Sequence, residues 1–127
     1  MTYTQKNLRA VKDSAVDFGV SDNQEARFPQ KDLRAENTGL AYFVFRPGKR
    51  SAFGHRHEAA EEIYVVLSGN GKIRLDDEIV ELEPMDAIRV APKVTRAFEA
   101  GDEGMEILAF GPRHEGDGEI VQDFWPD

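Results

Sequence analysis

The chain has 127 residues, of which 40% are hydrophobic and 31% charged, so it can fill the core of one domain but not of two full-sized ones. Its 24 aspartates and glutamates outnumber its 16 lysines and arginines, and the formal net charge of -8 argues against nucleic acid as a partner. Because the chain has no cysteine, disulfides, thiolate metal sites and cysteine nucleophiles are excluded.

The sequence shows no segment suited to a membrane or to export. Its longest apolar runs, such as residues 63–67, are far shorter than the ~20 residues that span a bilayer. Residues 1–12 are polar and lack the apolar core of a signal peptide. We therefore expect no membrane partner and a cytoplasmic location.

Residues 1–37 form an N-terminal extension in which no helical or alternating period lasts long enough to assign an element. It is predicted to add strands either to the main domain or to a partner subunit, and its residues favour neither.

From residue 38 onward, short β-branched and aromatic runs alternate with glycine, proline and aspartate turns. The segment 68–71, Ser-Gly-Asn-Gly, predicts a turn between two strands. Seven or eight strands at this spacing are typical of an all-β sandwich or barrel. The predicted strands are 40–45, 62–67, 72–75, 78–82, 87–90, 96–99 and 106–110.

The last part of the chain is polar apart from Phe124 and Trp125. We expect these rings to dock the C-terminal tail onto the domain rather than to form a lid or a dimer contact. The glycine-rich segment 111–119 is predicted to be a solvated loop, with Arg113 or His114 at the mouth of the site as the alternative.

Two histidines and a glutamate are spaced for metal binding. In an extended chain His55 and His57 point to the same face, and Glu62 opens the strand that follows a short turn. Two imidazoles and one carboxylate with open positions are typical of non-haem iron, manganese or nickel sites. The alternative is a pair of surface histidines in an acidic loop.

These residues resemble the first motif of the cupins, which are small double-stranded β-helix barrels. The motif reads Gly, five residues, His-x-His, three or four residues, Glu, six residues, Gly. His55, His57, Glu62 and Gly69 match its spacing, whereas Lys49 occupies the position of the leading glycine.

The resemblance runs over residues 38–111 and implies one jelly-roll domain with its site inside the barrel. Residues 1–37 and 112–127 then extend a single domain that comprises the whole chain, 1–127. The family also implies a homodimer and a small-molecule ligand.

The second cupin motif is degenerate here, and the position of the family's fourth ligand, a histidine, is held by Arg96. A guanidinium stays protonated and cannot donate a lone pair to a metal. If Arg96 points inward, it would repel a metal and pair with Glu62 in a bidentate geometry. Its other expected role is to bind the negative group of a substrate.

Two further side chains are predicted to contact the substrate. Tyr64 shares the inward parity of Glu62, and Phe98 shares that of Arg96. Tyr64 is predicted to be a core aromatic rather than a catalytic acid.

The sequence thus predicts a cupin-fold protein that handles a small molecule and binds a divalent metal (iron, manganese, nickel or zinc) through His55, His57 and Glu62. No organic cofactor is expected. If it is an enzyme, the expected chemistry is oxygenation, isomerisation or decarboxylation of a small acid or sugar-like compound. The alternative is a metal-free binding or sensing module that uses the Glu62–Arg96 pair with both histidines.

Overall fold

The computed structural model describes residues 2–114 and 116–126. The described chain contains eight strands. A 3-10 turn precedes the first strand, and one short helix lies between the first and the second. The elements are the 3-10 turn Leu8–Ala10, β1 Gln24–Arg27, α1 Gln30–Leu33, β2 Thr38–Phe45, β3 Gly54–His57, β4 Glu62–Leu75, β5 Glu78–Leu82, β6 Ala87–Val90, β7 Arg96–Pro112 and β8 Gly118–Val121. Among these residues no helix is long and apolar enough to cross a bilayer.

The strands pair antiparallel throughout and curl into a jelly-roll barrel, as expected from the strand spacing. One path runs β1-β2-β7-β3-β8, while β4 pairs with β5, β6 and β7. Because the long strand β7 contacts both β2 and β4, it joins the two halves of the sheet. The prediction of an all-β cupin-like barrel is confirmed.

The predicted turn at 68–71 is wrong, because the backbone continues as the single strand β4. Its register against β7 shifts between Val66 and Ser68 and again between Gly69 and Gly71. Gly69 has φ +74°, and a Cβ there would lie 2.0 Å from the carbonyl oxygen of Gly104. Gly69 therefore forms part of a β-bulge within a paired strand, not a turn that ends the strand.

The structure also shows where the N-terminal extension, the 111–119 segment and the C-terminal tail lie. Strand β1 pairs with β2, so the N-terminal extension adds a strand to its own barrel. Strand β8 pairs with β3, so the end of segment 111–119 is not a loop. The tail docks as predicted: the Trp125 indole donates to the carbonyl of Ser51 at 3.3 Å, and the Arg74 guanidinium lies over the Phe124 ring.

The core lies between the two layers of the barrel. Along β4 the buried residues Tyr64 and Val66 alternate with more exposed ones, as expected of a strand with one face inward. Their neighbours in the core include Ile73 and Ile107, both completely buried, and the rings of Phe45 and Phe98. This aromatic part of the core borders the candidate site.

Candidate functional site

Strand β3 presents both histidines to one side. His55 and His57 are two residues apart in an extended segment held between β7 and β8, so their rings share a face. The ring centroids are 5.3 Å apart and perpendicular. Glu62, the first residue of β4, reaches the same point after the turn 58–61.

The three predicted ligands converge. Oε1 of Glu62 lies 3.2 Å from Nε2 of His55 and 3.1 Å from Nε2 of His57. One donor atom from each residue lies within 4.8 Å of the other two. The two shorter distances are hydrogen-bond lengths, and donor atoms this close together could also face a single metal ion.

The carboxylate of Glu62 is held in its ionised form. Burial alone would raise its pKa, but hydrogen bonds from His55, His57 and Tyr64 outweigh burial and lower the pKa far below its usual range. The Tyr64 hydroxyl donates to the same Oε1 at 2.6 Å. Burial and the neighbouring negative charge of Glu62 raise the pKa of Tyr64, so its proton stays on the phenol.

Asp117 lies behind His57, and sequence reasoning missed it. Its carboxylate accepts the backbone N–H groups of Ala59 and Ala60 at 3.0 and 2.9 Å, which fixes the turn between β3 and β4. Burial would raise the pKa of Asp117, but these N–H donors outweigh it and lower the pKa. The only sequence signal was a carboxylate inside a segment with the composition of a loop.

The contact between Asp117 and His57 bears on metal binding. Oδ2 of Asp117 is 3.3 Å from Nδ1 of His57, yet this buried nitrogen has no hydrogen-bond partner among the described residues. A histidine that binds a metal through Nε2 carries its proton on Nδ1 and needs an acceptor there. The donor set, together with Asp117 as an acceptor for a proton on Nδ1 of His57, therefore fits a metal ion bound at Nε2.

Arg96 is placed near the cluster, but not as expected of a substrate anchor. Its side chain is completely buried, and its guanidinium donates to the carbonyl oxygens of Val94 at 2.8 Å and Pro92 at 3.2 Å. Its Nη2 is 3.7 Å from Oε1 of Glu62, beyond hydrogen-bonding distance, so the bidentate pair is not formed. Among the described residues that line the cavity, Arg96 does not appear.

The cluster lies at the wall of a cavity of about 450 Å³. Tyr64 and Phe98, both predicted to contact a substrate, line this cavity together with His55, His57 and Glu62. Arg113 and His114 also line it, as in the alternative placement of the 111–119 segment. The site residues expected from the sequence are thus gathered around one space, with Arg96 behind it.

Comparison with known proteins identifies the family of this fold. Residues 41–111, more than half of the chain, match the model of the cupin domain family, Cupin_2. Over 71 residues the chain is 35% identical to the uncharacterized protein MJ1618 of Methanocaldococcus jannaschii, a match that covers 54% of this chain and 57% of that protein. The chain therefore spans little more than half the length of this relative.

Solved structures that share the fold include the following two. A cupin protein from Bacteroides fragilis superposes with a TM-score of 0.73 at 22% identity, covering 91% of this chain and 88% of the other. The polyketide cyclase RemF from Streptomyces resistomycificus superposes with a TM-score of 0.75 at 20% identity, covering 98% and 87%. With its barrel, its first-motif residues and the family match in agreement, this chain belongs to the cupin family.

Proposed function

We propose that this cupin handles a small organic molecule inside its barrel and holds a divalent metal there with His55, His57 and Glu62. The observation that carries the proposal is the convergence of their three donor atoms, with Glu62 Oε1 at 3.2 and 3.1 Å from the two imidazole nitrogens. Iron, manganese, nickel and zinc all accept this donor set.

A metal bound there would polarise an oxygen of the ligand as a Lewis acid or serve as an oxygen-binding centre. The chain itself supplies the remaining parts. Tyr64 keeps its proton and donates it in a hydrogen bond to Glu62, which orients the carboxylate. Asp117 offers an acceptor to Nδ1 of His57. Oxygenation, isomerisation and decarboxylation are the reaction classes that we propose to assay.

Metal analysis tests this proposal. The protein is purified without chelators or a nickel column, and its iron, manganese, nickel and zinc contents are determined before and after incubation with each ion. We expect one equivalent of metal, lost in His55→Ala and retained in His114→Ala, which removes an exposed histidine from the cavity lining. No metal in the wild-type protein after incubation would refute the proposal.

A metal-free site is the second candidate, and the position of Arg96 is the observation that favours it. Its buried positive charge lies 3.7 Å from Glu62, where it stabilises the carboxylate without a metal. The barrel would then bind or sense its ligand without chemistry. A thermal-shift screen with small organic compounds, run on chelator-treated protein, tests this candidate because a ligand that binds only the folded state raises Tm.

We also propose that the protein forms a homodimer through the outer face of β4 and β7. Ile63 and Phe110 are cross-strand neighbours on these strands, and both large side chains stay exposed. Light scattering on Ile63→Glu should then give the monomer mass, whereas Ile79→Glu, on β5, should leave the dimer intact. A monomeric wild-type protein would contradict this proposal.

A further inference from the structure

A row of aromatic rings leads from the cavity's entrance to the histidine–glutamate cluster. The centroids of Phe28 and Phe43 are 5.9 Å apart, those of Phe43 and Phe45 also 5.9 Å, those of Phe45 and Phe98 5.4 Å, and those of Phe98 and Tyr64 5.0 Å. All five rings line the cavity. The row ends where the Tyr64 hydroxyl meets Glu62. One side of the cavity is therefore lined by five neighbouring aromatic rings, of which those nearest the cluster are almost completely buried and Phe28 is exposed.

The entrance end of this row is not ordinary core packing. Phe45, Phe98 and Tyr64 are at most 3% exposed, but Phe28 is 41% exposed and Phe18, another lining residue, is 60% exposed. Leaving such rings in water forgoes the free energy that burial would give. A ligand that covers them recovers this free energy, so the exposed rings at the entrance indicate an apolar occupant.

The polar groups of the cavity define one end of that occupant. His55, His57, Glu62 and the Tyr64 hydroxyl are gathered at the opposite end of the row from Phe28. Arg96, the cation expected to hold a substrate carboxylate, lies outside the lining. Phenylalanine walls give no hydrogen bonds to the several hydroxyls of a sugar. Arg113 and His114 also line the cavity and could meet a negative group, while the phenylalanine rings favour a ligand whose body is apolar rather than sugar-like.

We propose that the ligand is a flat aromatic compound of about one to three fused rings, a size suited to a cavity of this volume, with a hydroxyl or carbonyl oxygen at one end. Its rings lie against the Phe28–Tyr64 row, and its oxygen points to the His55–His57–Glu62 cluster. The placement of the oxygen rests on the proposed function. The aromatic contacts do not, because they need no metal.

Calorimetric binding tests this inference with 2-naphthol as the probe. Its saturated counterpart trans-2-decalol has the same fused skeleton and hydroxyl but no π-system, and glucuronate represents the sugar acids. The titrations use wild-type protein with bound metal and after chelator treatment. We expect 2-naphthol to bind about tenfold or more tightly than trans-2-decalol in both forms, since stacked and edge-on ring contacts add to area burial. Glucuronate is expected to give no heat of binding.

Two variants localise the contact. Phe28→Leu keeps apolar bulk but removes an entrance ring, and it should weaken 2-naphthol binding between about twofold and tenfold. Tyr3→Leu changes an exposed ring outside the cavity lining and should leave binding unchanged. Equal affinities for 2-naphthol and trans-2-decalol, no binding of either, or an unaffected Phe28→Leu would each overturn the inference. A protein that binds 2-naphthol but never takes up metal would refute the metal proposal alone.

Discussion

Removing the positive charge of Arg96 should strengthen metal binding. The perturbation is a pair of variants: Arg96→Gln removes the charge, and Arg96→His removes it and restores the nitrogen donor that the family has at this position. Because Arg96 is completely buried 3.7 Å from Oε1 of Glu62, its charge is felt at the ligand set with little screening by water.

The magnitude follows from the geometry. Opposite unit charges 3.7 Å apart attract by about 4 kcal/mol at an effective dielectric constant of about 20. A metal that takes over the carboxylate weakens this attraction and adds repulsion between two cations. Losing a third of the pair energy already corresponds to about a tenfold change in Kd. We therefore expect Arg96→Gln to bind metal at least about tenfold more tightly, and Arg96→His more tightly still.

The assay is a competitive titration of chelator-treated protein with zinc and manganese. Arg96→Gln leaves the carbonyl oxygens of Val94 and Pro92 without their donor, at a cost of about 1–3 kcal/mol each, so urea unfolding is measured in parallel. Arg89→Gln, which removes an exposed arginine paired with Glu61, is the matched control. Unchanged metal affinity in both Arg96 variants, with cooperative unfolding preserved, would refute the electrostatic argument.

Three further predictions concern other contacts. Asp117→Asn should weaken metal binding by about 10- to 100-fold and alter the nitrogen chemical shifts of the neighbouring imidazole; unchanged values of both would show that the carboxylate only fixes the turn. The Tyr42 hydroxyl donates a hydrogen bond to Glu106 and lowers the pKa of that carboxyl. The pair therefore stabilises the fold at pH values above the usual carboxyl pKa, and this stabilisation is lost as the pH falls through the lowered pKa. Urea unfolding should therefore find Tyr42→Phe less stable near neutral pH by about 1–2 kcal/mol, with the two proteins converging in acid; a constant difference would contradict the linkage. Urea unfolding should show a clearly larger loss of unfolding free energy for Gly69→Ala than for Gly48→Ala. Both positions have positive φ, but only at Gly69 does a backbone oxygen lie within 3 Å of the added Cβ. Equal losses would show that the backbone conformation, and not this close contact, causes the destabilisation.

Much of the candidate site could be predicted from sequence because its signals are local. His55 and His57 share a face in any extended strand, and Glu62 begins the next run of alternating apolar residues. The same alternation placed Tyr64 inside the barrel, where it is 1% exposed. The alternation of side chains between the two faces of a strand depends only on neighbours in the chain, and it is the same in any barrel that buries one face.

The strand boundaries could not be predicted in the same way. Glycine at position 69 is compatible with both a turn and a bulge, and the choice depends on whether a second strand lies alongside. Here β7 pairs with β4 on both sides of the bulge, so one long strand forms where two were expected. The N-terminal extension joined its own barrel for a similar reason, since β2 offered an open edge to β1.

Sequence alone determined that this chain is all-β and that two imidazoles and a carboxylate can share one face, because those features follow from periodicity and spacing within short segments. The resemblance to the cupins placed that face inside a barrel. Only the tertiary structure brought Asp117 behind His57, withdrew Arg96 from the cavity, and aligned Phe28 with Tyr64 in one aromatic wall. These relations join residues on different strands. They are set by the register of hydrogen-bonded pairing across the sheet, which no local pattern encodes.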